Sequence, residues 1–238
     1  MEKMCAHGSG GPVMGQWDRF LAPYKQAVDE LKIKFKGMRR LYETDNINSP
    51  IEFVTGRVKP IASIYDKSLE KGIPFEPSDE LARELQDIAG LRMMCQFVGD
   101  IETVVDLLRN RNDLRIVEEK DYISREKQSG YRSYHVIVEY PVQTINGEQL
   151  ILAEIQIRTL AMNFWASIEH SLNYKYKGVF PDEIKLRLQR AAEAAFQLDE
   201  EMSQIRDEIQ EAQAYFTEFK DSPRTHFPGD QEGGRTKR

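Results

Sequence analysis

The sequence predicts an α+β fold, a mixed, largely antiparallel sheet of about five strands flanked by helices, with long N- and C-terminal helices. Three observations carry this. Apolar residues recur every three or four positions from Trp17 to Leu41, and again from Ile184 to Phe219, which is helical periodicity. Between them, short runs alternate in polarity, as half-buried strands do. Asn146-Gly147 separates the two best of these runs and is a strong hairpin signal.

In chain order, residues 1–15 carry Gly8, Ser9, Gly10, Gly11 and Pro12 and read as a leader, an added segment or an upstream start outside the fold, with Met14 a candidate first residue. A single domain is expected over 16–219. The first helix presents Trp17, Phe20, Leu21, Tyr24, Val28, Leu31, Phe35, Met38 and Leu41 on one face. Pro23 is expected in its first turn, or breaking a short helix before it. Glu43–Pro50 is a polar loop. Val58–Lys71 reads as a second helix with Val58, Ile61, Ala62, Ile64, Tyr65 and Leu69 as its apolar stripe, and Gly72–Asp79 as a loop.

Leu91–Phe97 reads as a strand with Leu91, Met93, Cys95 and Phe97 on one face. A short helix at Ile101–Arg109 and a short strand at Leu114–Val117 follow. Tyr134–Tyr140 and Leu150–Ile157 form the hairpin. Asn163–Tyr176 is helical, with Phe164 and Trp165 expected in the core. The last helix starts near Pro181, where a proline suits the first turn. Its residues Ile184, Leu188, Ala191, Ala195, Leu198, Met202, Ile205, Ile209, Ala212, Phe216 and Phe219 step four and three, a coiled-coil-like seam expected to serve assembly, with packing back on its own sheet as the alternative. The polar stretch 220–238 reads as a flexible tail.

Composition narrows the function. Asp and Glu outnumber Lys and Arg 39 to 33 in 238 residues, a net charge of −6. That disfavours a protein held on duplex nucleic acid by bulk charge but allows a local basic pocket. The acid excess lies in the last helix, around Asp199, Glu200, Glu201, Asp207, Glu208 and Glu211. No apolar run approaches the ~20 residues of a membrane span. Cys5 and Cys95 make no disulfide framework or paired-cysteine zinc motif, and no signal-peptide core is present, so a cytoplasmic location is expected.

Parity locates a candidate site. Glu154, Gln156 and Arg158 share one face of their strand, opposite Ala153, Ile155 and Ile157. Arg92 faces away from Leu91 and Met93, and Tyr131, Ser133 and His135 share a side. Gly130–His135 crowds two tyrosines, a cation and an imidazole together, just after Lys120, Arg125 and Lys127. Gly56-Arg57-Val58-Lys59-Pro60 places two cations where a helix is expected to begin, a setting that favours phosphate. Neither a Walker loop nor a dinucleotide-binding glycine motif occurs. Asp87 and Glu154 are candidates for Mg²⁺, which takes one or two carboxylates with phosphate oxygens and water. A bare carboxylate at Glu154, among apolar neighbours, is costly unless paired or on a metal.

Four segments carry a resemblance: Gly56–Lys59, Asp87–Arg92, Gly130–His135 and Glu154–Thr159. Together they resemble the synthetase domain of the RelA/SpoT family, from about Trp17 to Phe216, and most closely its stand-alone small alarmone synthetases of the RelQ type. The resemblance implies a nucleotidyltransferase-like domain that moves pyrophosphate from ATP to the ribose 3′-hydroxyl of GDP or GTP, with GMP a further candidate acceptor, giving ppGpp or pppGpp and AMP. The long members' hydrolase region carries a His-Asp pair; no His here is followed by Asp, which implies synthesis without hydrolysis.

By the same resemblance, Asp87 and Glu154 hold Mg²⁺, and Glu154 helps deprotonate the acceptor hydroxyl. Arg57 and Arg92 stack on adenine, and Lys59, Ser63 and Lys67 take ATP phosphates. Tyr131 stacks on guanine, Lys120 and Lys127 face the acceptor's 5′-phosphates, and Asn163 reads the guanine edge. His135 and Gln156 order the reacting groups. The resemblance further implies a homotetramer with a cleft for an alarmone effector at Lys36, Glu52, Phe53 and Thr55. The competing reading is a single-stranded RNA-binding module built on Tyr131 and the nearby cations.

Overall fold

A computed structural model describes residues 12–125, 127–176 and 180–221. Most of the proposed leader and the tail after Asp221 lie outside them. The elements are α1 (Pro12–Thr44), β1 (Phe53–Val58), α2 (Ile61–Lys71), α3 (Asp79–Glu84), β2 (Ala89–Cys95), α4 (Val98–Arg109), β3 (Arg115–Asp121), β4 (Tyr134–Thr144), β5 (Gly147–Thr159), α5 (Leu160–Lys175) and α6 (Asp182–Asp221). The strands form one sheet in the order β1-β2-β5-β4-β3. Only the β2–β5 pair is parallel. The mixed, largely antiparallel sheet with a long helix at each end is thus as the sequence predicts.

One face of the sheet is apolar. Leu91, Met93 and Cys95 of β2, Ala153, Ile155 and Ile157 of β5, and Val136 and Val138 of β4 are all buried there. They meet Tyr24, Val28, Leu31 and Phe35 of α1 and Ile101, Val104, Val105 and Leu108 of α4 in one continuous core. At Gly56 of β1 a Cβ would sit 2.8 Å from Val28 Cγ1, so α1 packs flush against that edge strand and leaves no room for a side chain. No helix among the described residues is long and apolar enough to cross a membrane.

Several local expectations need correction. The helix reaches back to Pro12, into the stretch read as leader, and passes through Pro23 unbroken. Burial along its predicted face stops before Leu41, which is 67% exposed. Phe53–Val58 is a strand, so Arg57 lies on a sheet edge and not at a helix start; the helix begins only after Pro60. Val58 and Thr55 had no alternation strong enough to betray that strand. On α2 the stripe is narrower than predicted: Ile64 is buried, whereas Tyr65 and Leu69 are exposed. Phe164 points outward, and only its neighbour Trp165 is buried.

Helix α6 leaves much of its apolar seam uncovered. The heptad residues Leu198, Met202, Ile205 and Ile209 are exposed on the single chain. The helix docks by a different stripe, in which Ala192 and Asp199 are the buried members. Ser203 donates to the Asp199 carbonyl and accepts from the Val98 amide, and Arg206 pairs with Asp100 at 2.9 Å. Asp199 accepts from the Thr159 hydroxyl, which also caps α5 through the Met162 amide. Sequence periodicity found the apolar seam and missed the docking stripe, because half of the latter is polar.

Burial pushes the Asp199 carboxyl above the ordinary carboxylate range, only partly opposed by Thr159. A group with a raised folded-state pKa contributes stability at low pH that is lost as pH rises through that pKa. Asp199→Asn keeps an acceptor for Thr159 and removes the buried charge. It is expected to raise the melting temperature at pH 8 and to flatten its fall between pH 4 and 8. A lower melting temperature at pH 8 would contradict this.

Candidate functional site

The opposite face of the sheet is polar, and strand register assembles it. Thr55 and Arg57 of β1 stand beside Arg92 and Gly90 of β2. Gly90 and Arg92 stand beside Glu154 and Gln156 of β5. Gln156 in turn lies opposite His135 of β4, and His135 opposite Lys120 of β3. This last placement depends on a bulge in β3, where the register shifts between Ile116 and Glu118. Side chains alternate along a strand, so without the extra residue Glu119 would take the place of Lys120. Glu119 instead points away and binds Arg109 and Tyr134.

A cleft on this face is lined by Thr55, Gly56, Arg57, Asp87, Gly90, Leu91, Arg92, Glu154 and Gln156. Gly90, between Arg57 and Glu154, contributes no side chain and leaves the cleft floor open.

Glu154 is the convergence point. His135 Nδ1 lies 2.9 Å from Oε1, and the Gln156 amide donates to Oε2 at 2.7 Å. Burial pushes this carboxyl up, but His135 and Gln156 outweigh that and hold it below the ordinary value. An ionised carboxylate only accepts, so His135 Nδ1 carries the proton. His135 Nε2 is then free to accept from the Tyr131 hydroxyl, 2.8 Å away. That hydroxyl accepts from Arg158, which also donates to Gln156 Oε1 at 2.7 Å and to Ser133. Donors therefore run in one direction, from Arg158 through Tyr131 and His135 to Glu154.

Asp87 sits on the loop before β2. Lys59 and Lys67 each place Nζ 2.8 Å from its Oδ2. Burial raises the carboxyl, and the two lysines more than offset this, so it too is ionised at neutral pH. Its Oδ1 is buried without a hydrogen-bond partner. Asp87 is close enough for its charge to oppose ionisation of Glu154. Arg92 is held below its usual pKa by burial and by the charges of Arg158 and Arg57, which gathers three guanidinium groups at one site.

The structure thus brings Arg57, Asp87, Arg92, Glu154 and Gln156 into one cleft, with Lys59 and Lys67 on Asp87, His135 on Glu154 and Tyr131 on His135. Lys127 lies 5.1 Å from the Tyr131 ring centroid and 4.4 Å from that of Tyr122. Lys120 pairs with Glu118 at 2.9 Å. Ser63 is on α2, one turn before Lys67, and does not line the cleft. Asn163, on α5, does not line it either; its Oδ1 is buried without a partner. Of the residues expected at an effector cleft, Lys36 and Phe53 line a separate cavity with Arg39 and Arg40. Glu52 borders its neighbour, and Thr55 faces the main cleft instead.

One participant, Tyr122, escaped the sequence reading, and another, Arg158, was placed on the polar face without a role. Arg158 is 4% exposed and organises Tyr131, Ser133 and Gln156; its parity with Glu154 was the available signal. Tyr122 stands edge-on to His135, with centroids 5.1 Å apart, and no local pattern marked it.

Comparison with known proteins shows the family. The family model described as "Region found in RelA / SpoT proteins" matches residues 56–179, which include all these motifs. The chain belongs to the RelA/SpoT family. It is 62% identical over 205 residues to the GTP pyrophosphokinase YjbM of Bacillus subtilis (strain 168), covering 86% of this chain and 95% of the relative. Among solved structures, it resembles the small alarmone synthetase 1 of Bacillus subtilis bound to its product pppGpp, with a TM-score of 0.76 and 61% identity over 82% of this chain and 98% of the other. The same enzyme bound to AMPCPP gives a TM-score of 0.72 and 60% identity, over 83% and 99%.

Proposed function

We propose that this RelA/SpoT-family pyrophosphokinase is a RelQ-type small alarmone synthetase, transferring pyrophosphate from ATP to the 3′-hydroxyl of GDP or GTP. The observation that carries this reading is the pair Asp87 and Glu154, both held ionised at one cleft, with guanidinium groups on one side and the Tyr131–His135 chain on the other. In the reaction the 3′-oxygen attacks the β-phosphorus. The bond from that phosphorus to the oxygen bridging to the α-phosphorus breaks, and AMP leaves with that oxygen. Glu154 takes the hydroxyl proton as the new bond forms, in a position fixed by His135 and Gln156.

The donor set fits Mg²⁺. Two ionised carboxylates, one with an unpartnered buried oxygen, suit a cation that draws its other ligands from phosphates and water. No group of three or more His, Cys, Asp or Glu that could hold a metal occurs among the described residues. When bound by Asp87 and Glu154, the ion would neutralise charge on the transferring phosphates. Arg57 and Arg92 supply flat cations for adenine, while Lys59 and Lys67 hold ATP phosphates. Tyr131 covers the guanine, with Lys120 and Lys127 toward the acceptor's phosphates; the relative's bound pppGpp supports an acceptor of this kind. We extend the reading to a homotetramer, for which the exposed seam of α6 is the available apolar surface. An alarmone effector would use the cavity at Lys36 and Phe53. No observation at the site favours the RNA-binding alternative.

Purified protein with ATP, GDP and Mg²⁺ is expected to yield ppGpp and AMP in equal amounts on an anion-exchange chromatogram. ADP in place of AMP would mean single-phosphoryl transfer, and folded protein giving no product would refute the reading.

A further inference from the structure

We propose that Glu193 on α6 is a positioning residue for the acceptor nucleotide, acting through Arg132 on the segment that carries Tyr131. The inference rests on the reading above that Tyr131 meets the acceptor's base.

The residues on both sides of Tyr131 are fastened to α6. Gly130 adopts a positive φ of 86°, and a Cβ there would lie 2.5 Å from that of Ala192, so the backbone is pressed against the helix. On the other side, Arg132 is 8% exposed. Its Nη2 lies 2.8 Å from Glu193 Oε2, and its guanidinium lies 4.2 Å from the Phe196 ring centroid. Trp165 donates to the Leu188 carbonyl at 2.9 Å, closing a small apolar cluster against which the Tyr131 ring packs. Tyr131 therefore owes its place to one helix as well as to Arg158 and His135.

The donor side of the site is built differently. No α6 residue lines the cleft of Arg57, Asp87 and Arg92, which depends on β1, β2, β5 and the loop before β2. Loosening the α6 contact should therefore weaken the acceptor and spare ATP. Glu193 is suited to the test because its side chain is half exposed, so its removal opens no core cavity. Its loss removes the Arg132–Glu193 ion pair, the charged tie between this segment and α6, and loosens the segment from the helix. A small displacement of a positioning group costs rate or affinity steeply.

The test is steady-state kinetics on the full chain. Glu193→Ala is expected to raise KM for GDP about tenfold, with KM for ATP unchanged. Glu193→Asp should recover most of the loss, and Glu193→Gln should fall between. Tyr131→Ala serves as the reference and should weaken GDP at least as much. An unchanged KM for GDP in Glu193→Ala, beside an impaired Tyr131→Ala, overturns the proposal. So does an equal rise in both KM values with a lowered melting temperature, the mark of a structural role only. If Tyr131→Ala itself leaves KM for GDP unchanged, the acceptor reading fails and takes the proposal with it.

Discussion

Glu154→Gln is expected to lower turnover about a thousandfold, while affinity for ATP and GDP stays within a few-fold of wild type. A factor of that size is about 4 kcal/mol of transition-state stabilisation. The substitution keeps the size of the side chain and its place on β5, so the sheet has no reason to rearrange. What changes is charge and acceptor capacity at one point. Both carboxylate oxygens now receive donors, from His135 and from Gln156. An amide offers one oxygen only, and its NH₂ would face a donor, so the chain from Arg158 through Tyr131 and His135 loses its terminus. The acceptor hydroxyl would lose its proposed base, and among the described residues lining the cleft Asp87 would be the one carboxylate left. The nucleotide contacts proposed for Arg57, Arg92 and Lys59 do not depend on this oxygen, which is why binding should survive. Equilibrium binding of fluorescent nucleotides beside a turnover assay separates the two. Turnover within tenfold of wild type would remove Glu154 from its assigned role.

How much of this site could be read from the chain depends on how each residue is placed. Glu154, Gln156 and Arg92 sit on strands with clean alternation, and parity alone put them on one polar face. Lys120 is different. Its orientation follows from a bulge at the far edge of the sheet, and a single inserted residue leaves no mark in polarity. Only the family resemblance selected it over Glu119. Arg57 had the right partners and the wrong element, because the Gly56–Pro60 stretch resembles a helix entrance in composition. Its strand exists because β2 supplies an edge to pair with, a tertiary fact. The same distinction explains α6. A seven-residue apolar repeat is legible in any chain, yet much of what holds α6 to the domain is polar: Asp199, Ser203, Arg206 and Glu193. Polar residues on a helix look solvated until their partners, far away in sequence, are known.

A divalent cation alone is expected to bind the free protein poorly, and the reason lies in two lysines. Lys59 and Lys67 both engage Asp87 Oδ2 at 2.8 Å. An incoming ion would meet two positive charges at close range, and each pair of unit charges at 4 Å is worth about 4 kcal/mol at an effective dielectric constant of 20. A triphosphate alters the balance, since it offers both lysines stronger partners and releases the carboxylate. Lys67, 33% exposed against 14% for Lys59, is the freer to swing. The free enzyme should therefore take Mn²⁺, followed by its paramagnetic signal, at least about tenfold more tightly when AMPCPP is present. Lys67→Met should shift two measurements in opposite directions, tightening Mn²⁺ binding without nucleotide and weakening AMPCPP binding. If Lys67→Met leaves both affinities where they were, the lysines do not guard the carboxylate. If no form of the protein binds Mn²⁺ even with AMPCPP, Asp87 and Glu154 are not metal ligands. The buried Oδ1 of Asp87, which no protein group partners, favours metal binding with the nucleotide: a buried carboxylate oxygen gains from a partner, and a cation arriving with the phosphates would supply one.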